Sequence, residues 1–388
     1  MKTLFRRTLV EQICERLSEP RRFIQIISGP RQTGKTTAVL QALEECGLQS
    51  RFVSADDPNL NSVEWIRNEW QQARSSEVLV IDEIQKIPQW SGMVKLLWDE
   101  DSRKKTPLKV ILTGSSSLLL QKGMKESLAG RFELLFCPHW NFAECKEAFG
   151  YTLEDFLYFG GYPGAAAFKE NDERWVRYIG NSIVDPSISQ DVLLMEEIRK
   201  PALMRALFIL GASYSAQELS YTKIIGQLQD AGNTVTIAHY LELLEKANIM
   251  CGLQKFSENK LSVKQSSPRF MVFDTSLMTY SHGSGRKSFL ENATMRGHLV
   301  ESAVGAYLLA RAREEGFDVY WWRDRDKEVD FVLQKGKNII AIEVKSGRVK
   351  HIGGYLDFKK KYPKAMGLVI GDSNCSLEDF LLGKVRLF

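Results

Sequence analysis

The stretch FIQIISGPRQTGKTT, residues 23–37, decides how the first part of this chain folds. Phe23 to Ser28 is an apolar run of strand length. It enters the segment from Gly29 to Thr36, which fits G-x-x-x-x-G-K-[ST] and leads into residues with helical periodicity. Strand before and helix after are the contexts this motif requires. The β- and γ-phosphates of a nucleotide carry several negative charges, and only a glycine-permissive loop turns enough backbone N–H groups inward to meet them. A helix starting near Gly34 adds the positive end of its dipole. In such a cradle Gly29 and Gly34 shape the loop, Lys35 bridges the β- and γ-phosphates, the Thr36 hydroxyl binds Mg2+, and Thr37 bonds the α-phosphate. The bare pattern arises by accident in roughly one chain of this length in a hundred, and its alternative is a plain glycine turn.

Working outward, VLVIDE at 78–83 is a buried-strand run ending in two carboxylates. Asp82 would hold magnesium directly or through water, and Glu83 would polarise a water for in-line attack on the γ-phosphate. A further strand, Lys109 to Thr113, is expected between these two motif strands, placing Ser115 or Ser116 near the γ-phosphate as a polar sensor; an ordinary helix cap is the competing explanation. Arg131, in Leu-Ala-Gly-Arg, is a candidate for neutralising phosphate charge in this subunit or a neighbour, with a surface ion pair as its alternative. Arg31 inside the loop is a second such candidate. With Arg51 to Ser54 and Glu133 to Cys137, strands alternate with helical stretches over about 150 residues, which predicts a parallel sheet with helices on both faces.

From about residue 151 this alternation gives way to helical stretches. Gly160, Gly161, Pro163 and Gly164 mark a hinge or tight loop. Ser220 to Asp230 and Thr236 to Asn248 have the length and turn chemistry of a helix-turn-helix, followed by two short strand-like runs, Met250 to Phe256 and Phe270 to Phe273, suited to a wing. Glu242 and Glu245 on the second helix oppose phosphate contact, so Lys255, Lys260, Lys264 and Arg269 are the better candidates for meeting DNA, against a structural or protein-contact role. Ser281 to Ser288 reads as a linker. The expected domains are therefore 1–150, 151–280 and 281–388.

The last of these returns to α/β character. Asp330 lies in Glu-Val-Asp-Phe-Val-Leu, and a Lys-Gly-Lys turn leads to Ile339-Ile-Ala-Ile-Glu343-Val-Lys345. A hairpin would bring Asp330 beside Glu343. Two adjacent carboxylates repel unless a cation sits between them, and oxygen-only ligands suit Mg2+. Lys345 would orient or activate a water, and Glu301 on the preceding helix would complete the metal shell. This order resembles the PD-(D/E)xK nuclease core; an inert charged hairpin edge is the alternative, and such a fold need not cut.

Composition narrows the class. With 388 residues, a net charge of +4 and 26% charged residues, the chain is long enough for several buried cores, and global charge neither demands nor excludes nucleic acid. Its six cysteines lack zinc or redox spacings, so free thiols in a cytoplasmic protein are expected, without a membrane span.

Taken together, SGPRQTGKTT (28–37), LVIDEIQ (79–85), LTGSSS (112–117), LAGR (128–131), FGGYPGAA (159–166), SPRFMVFDTSL (267–277), GHLVESAV, EVDFVL and AIEVKSG resemble a large bacterial and archaeal family of AAA-superfamily ATPases with an uncharacterised carboxyl-terminal domain. The resemblance implies a P-loop NTPase sheet, ATP binding, a winged-helix-like middle region and a smaller nuclease-like α/β domain. It implies neither substrate nor pathway. The leading expectation is an Mg2+-dependent ATPase acting as a nucleotide switch for a nucleic-acid-directed terminal domain. An ATP-gated metal-dependent nuclease and a non-enzymatic regulator contacting DNA or protein through the winged helix stand beside it, and oligomerisation is left open.

Overall fold

In the computed structural model, five strands of the first region form one sheet: β1 (Ile24–Ser28), β2 (Ser50–Ser54), β3 (Val78–Asp82), β4 (Lys109–Gly114) and β5 (Phe132–Phe136). The structure describes residues 5–56, 62–114, 127–192, 198, 200–229, 232–257, 267–346 and 353–388. Strand order is β2-β3-β4-β1-β5, with every neighbour parallel. Parallel pairing needs crossovers, and among the described residues α2 (Lys35–Cys46), α3 (Val63–Ala73) and α4 (Trp90–Lys104) lie in them, with α1 (Thr8–Ser18) preceding the sheet.

Strand periodicity of two then divides the core into two layers. Ile26, Ile81 and Leu112 face α3 and α4, where Trp70 and Leu97 meet them. Ile27, Val80 and Ile111 face α1 and α2, against Ile13 and Val39. Both sheet faces are thus covered, which is why β1 and β3 are buried along their whole length. The expected additional strand, β4, does lie between β1 and β3.

The chain forms two compact units, Met1–Pro138 and His139–Phe388. The second unit begins with helices α5 (Phe142–Phe149), α6 (Leu153–Phe159), α7 (Asp172–Tyr178) and α8 (Pro201–Ser213), two π-helical turns lying between the last two. Next come α9 (Tyr221–Gln227) and α10 (Thr234–Lys246), started by the side chains of Ser220 and Asn233, which accept N–H bonds from Lys223 and Thr236. β6 (Met250–Leu253) and β7 (Arg269–Val272) then pair antiparallel. After α11 (Thr275–His282), α12 (Arg286–Glu291) and the long α13 (Ala293–Glu315) comes a second sheet, ordered β11-β10-β9-β8. Here β8 (Asp318–Asp324), β9 (Lys327–Lys335) and β10 (Asn338–Val344) form an antiparallel meander, and β11 (Met366–Ile370) runs parallel to β10 after α14 (Gly353–Lys361).

The glycine and serine expectations are narrowed in one case and replaced in the other. Gly160 and Gly161 form the tight loop and not the hinge. A Cβ at Gly160 would stand 2.0 Å from Asp274 Oδ1 and one at Gly161 would stand 2.1 Å from the Trp140 carbonyl oxygen. The Gly161 N–H donates to Asp274 Oδ2 at 2.7 Å, so FGGYP and FDTSL form one buried tie. Residues 281–288 are no linker either: α11 ends at His282 with Gly283 (φ +72°) as its cap, and α12 starts at Arg286.

Candidate nucleotide site and terminal carboxylates

The first site grows from the carboxyl ends of β1, β3 and β4. Gly29 has no space for a side chain, since a Cβ would lie 2.1 Å from the carbonyl oxygen of Cys137 at the end of β5. Gly34 has φ +91°, a left-handed conformation that glycine adopts freely, and it turns the chain into α2. Lys35 opens that helix with only 6% of its surface exposed. Its Nζ folds back over the loop and donates to the carbonyls of Gly29 (3.1 Å) and Pro30 (2.6 Å).

Periodicity puts Asp82 on the same face of the sheet as Val80, toward α2. The Thr36 hydroxyl therefore reaches the Asp82 carboxylate, donating to Oδ2 at 3.1 Å. Thr113, on the matching face of β4, also donates to Asp82 Oδ1. Burial pushes the Asp82 carboxyl above the usual range, the Thr113 and Thr36 hydroxyls pull it back, and the charges of Glu83 and Asp56 push it further up. Glu83 leaves the strand at φ +53° and its Oε2 accepts a hydrogen bond from Gln85 Nε2 at 2.5 Å. A hydroxyl beside a buried carboxylate, next to a lysine, is an oxygen donor set that fits Mg2+ with a phosphate chain.

A brace behind this loop was not legible in the sequence. Arg7, just ahead of α1 and 5% exposed, donates from Nη1 to the carbonyls of Thr33 (2.9 Å) and Pro138 (3.1 Å) and to Cys137 Sγ (3.2 Å). The Thr33 hydroxyl closes the turn onto the Pro30 carbonyl at 3.0 Å. Its neighbour Arg6 is exposed and paired with Glu45, so a basic dipeptide before a helix carries no signal of which member turns inward.

Other candidates fare differently. Thr37 lies half-buried in the first turn of α2, and Arg31 is half-buried in the loop. Ser115 and Ser116 fall outside the described residues. Arg131 forms a forked ion pair with Asp99 of α4, at 2.8 and 3.0 Å, which is the alternative its sequence context offered.

The terminal carboxylates form a second cluster, wholly within the second unit. Antiparallel register sets Phe331 opposite Ile342, and the adjacent Asp330 accepts the Val344 N–H at 2.7 Å. Glu343 is buried; Oε1 accepts the Tyr355 N–H at 2.8 Å and Oε2 lies 3.1 Å from Lys345 Nζ. Glu301, on α13, lines the same cavity of about 630 Å³ as Asp330, Glu343 and Lys345. Hairpin and helix therefore do bring these four residues to one place.

Besides Lys345, a second and unexpected cation stands among them. It is Arg269 of β7, which lies 2.7 Å from Glu301, 2.9 Å from Glu328 and 3.7 Å from Asp330. Burial and the nearby Asp330 charge push Glu301 up to about 8, with Arg269 opposing them. Burial likewise raises Asp330. Among the described residues no group of three or more His, Cys, Asp or Glu side chains is arranged to hold a metal ion. As placed, the Glu301, Asp330 and Glu343 set does not fit Mg2+. Arg269 is also withdrawn from the wing bases, being buried; Lys255 is described, whereas Lys260 and Lys264 are not. His139 contacts the Tyr162 hydroxyl at 3.0 Å in a packed aromatic environment.

No helix among the described residues is long and apolar enough to cross a membrane. Comparison with known families matches residues 21–146 to an AAA domain, 150–288 to a domain of unknown function (DUF8612) and 296–385 to another (DUF4143). Among curated proteins no relative matches. Of solved structures, a Walker-type ATPase of Pyrococcus abyssi is similar at 16% identity and TM-score 0.49, over 72% of this chain and 98% of that one. The replication initiator DnaA bound to AMPPCP and single-stranded DNA is similar at 18% identity and TM-score 0.34, over 62% of this chain and 86% of its own. The RuvB Holliday junction branch migration motor of Thermotoga maritima is similar at 16% identity and TM-score 0.34, over 63% and 86% of the two chains. The matched segment, the loop between β1 and α2 and the carboxylate at the end of β3 agree: residues 21–146 match an AAA domain and carry a P-loop between the first strand and the helix that follows it.

Proposed function

We propose that this chain binds ATP with Mg2+ at the β1–α2 loop and hydrolyses it as a switch that governs its second unit. The observation that carries this reading is the Thr36–Asp82 contact at 3.1 Å beside Lys35. Binding would exchange internal hydrogen bonds for ligand ones: Lys35 Nζ leaves the Gly29 and Pro30 carbonyls for the β- and γ-phosphates, and the loop N–H groups meet phosphate oxygens. Thr36 and Asp82 would hold Mg2+, which supplies positive charge to the transferring phosphoryl group. Glu83 accepts the proton of the attacking water, with Gln85 fixing its carboxylate.

The switched element in this reading is the terminal α/β region, directed at nucleic acid through its likeness to the nuclease core. The switch is favoured over cutting because Arg269 already supplies the charge that a cleaving metal would bring. ATP at a hundredfold above its Kd should raise unfolding stability by about 2.7 kcal/mol. Absence of a shift with Mg-ATP in the wild-type chain, or an equal shift in Lys35→Ala, sinks the proposal. Turnover in wild type but not in Glu83→Gln separates an enzyme from a purely nucleotide-gated regulator.

A further inference from the structure

Asp330, Glu343 and a helix glutamate in this order would ordinarily call for a divalent ion, and what satisfies their charge instead is visible. The Arg269 side chain is 4% exposed. Its Nε donates to the Ala216 carbonyl at 2.8 Å, Nη1 to the Asp330 carbonyl at 3.2 Å and Nη2 to Glu301 Oε2 at 2.7 Å. Nη1 also lies 2.9 Å from Glu328 Oε1. Apart from Glu301 Oε1, the remaining carboxylate oxygens have partners of their own, Asp330 Oδ1 lying 3.7 Å from Nη2. Asp330 Oδ2 holds the Val344 N–H, both oxygens of Glu343 are engaged, and Glu328 Oε2 faces Arg323.

We infer that these terminal carboxylates are a guanidinium-held ion lock and not a divalent-metal centre, with Arg269 standing where the metal would be. A planar fork serves several acceptors at fixed angles, whereas Mg2+ demands near-octahedral oxygens at about 2.0–2.1 Å. Seating the metal would require pulling the Glu301 and Asp330 carboxylates off the guanidinium, leaving its buried charge with Glu328 and backbone carbonyls, which is unfavourable. The lock also has a mechanical role. Arg269 belongs to β7, in the segment matched at 150–288, while Glu301, Glu328 and Asp330 belong to the segment matched at 296–385. The ion cluster therefore pins those two segments of the second unit to each other. Nothing in this inference depends on whether the first unit hydrolyses ATP.

The test uses the full chain without nucleotide, in an Asp82→Asn background that removes the carboxylate of the first site. Mn2+ uptake is counted by paramagnetic resonance, with melting followed on the same samples. The expected result is no bound equivalent at Mn2+ concentrations up to about 1 mM, unchanged by Asp330→Asn or Glu343→Gln, and a lowered melting temperature in Arg269→Met. Arg269→Lys, which keeps the charge and loses the fork, should melt in between, and it serves alone if Arg269→Met does not fold. One Mn2+ equivalent that Asp330→Asn or Glu343→Gln abolishes would overturn the inference. So would wild-type melting in the Arg269 variants.

Discussion

Both units bury carboxylates beside a cation, yet the two arrangements differ in what a ligand could displace. At the β1–α2 loop, Lys35 rests on two neutral carbonyls, and Asp82 is held by two hydroxyls. Each of those bonds joins one charged group to a neutral partner and is worth about 1.5–3 kcal/mol, and a phosphate chain with its metal replaces them with partners of opposite charge. Around Arg269 every bond joins a guanidinium to carboxylates or to carbonyls in a buried cluster, and a ligand must first break charge-assisted pairs. The difference between an exchangeable polar nest and a closed one separates a binding site from a brace better than the count of acidic residues does.

The largest expected effect falls on the exchangeable side. Replacing Lys35 by Ala should abolish detectable ATP binding, while Glu83→Gln should keep binding and lose on the order of 10²–10⁴ in turnover, read by steady-state hydrolysis and nucleotide titration. Retained turnover in Glu83→Gln would remove that residue from the mechanism. On the closed side, Arg269→Met should cost about 3–5 kcal/mol in denaturant unfolding of the second unit, because it takes away the guanidinium that Glu301, Glu328 and Asp330 share. The ATP-induced stabilisation of the first unit should persist in that variant.

A smaller effect is expected from Arg7→Ala. Losing charged bonds to Thr33 and Pro138 should weaken ATP binding about tenfold, consistent with roughly 1.5–3 kcal/mol per charge-assisted bond partly recovered by water. It should raise KM more than it lowers kcat, since Arg7 shapes the loop without reaching the reacting atoms. Acid should weaken Mg-ATP binding in a window set by Asp82. Its folded carboxyl lies above the ordinary value, so it takes up a proton at a higher pH than an exposed aspartate, and the metal must displace that proton. Affinity is therefore greatest above that raised value and falls as the pH drops through it; Asp82→Asn should bind more weakly and lose the dependence. The smallest effect belongs to Arg131→Ala, whose half-exposed surface pair with Asp99 predicts a stability change under about 1 kcal/mol and turnover within roughly twofold of wild type.

Much of the first unit was legible because its central strands β1, β3 and β4 are buried on both faces and read as continuous apolar runs, and because the loop motif fixes which strand leads into which helix. β3 appears where VLVID predicts it, and β4 takes its expected place between the motif strands. Long-range contacts were not legible. Arg7 and Cys137 approach Thr33 from opposite ends of the unit, and a single arginine among several has no periodicity to betray it. Arg269 was misread for a related reason. In Pro-Arg-Phe before an apolar run it looks like the base of an exposed wing, but β7 is buried at all four positions, and the acceptors that draw the arginine inward come from far along the chain. The pairing of Asp330 with the end of β10 was readable from the hairpin; the occupant of the space beside it was not.

The family match begins at residue 21, whereas the guanidinium that steadies the phosphate loop belongs to residue 7. Anyone trimming this chain to a minimal nucleotide-binding fragment by the borders of its relatives would discard that support along with α1. The shortened protein would keep every signature residue and still hold its ligand poorly. Borders drawn by likeness and borders drawn by mechanics differ here by a helix.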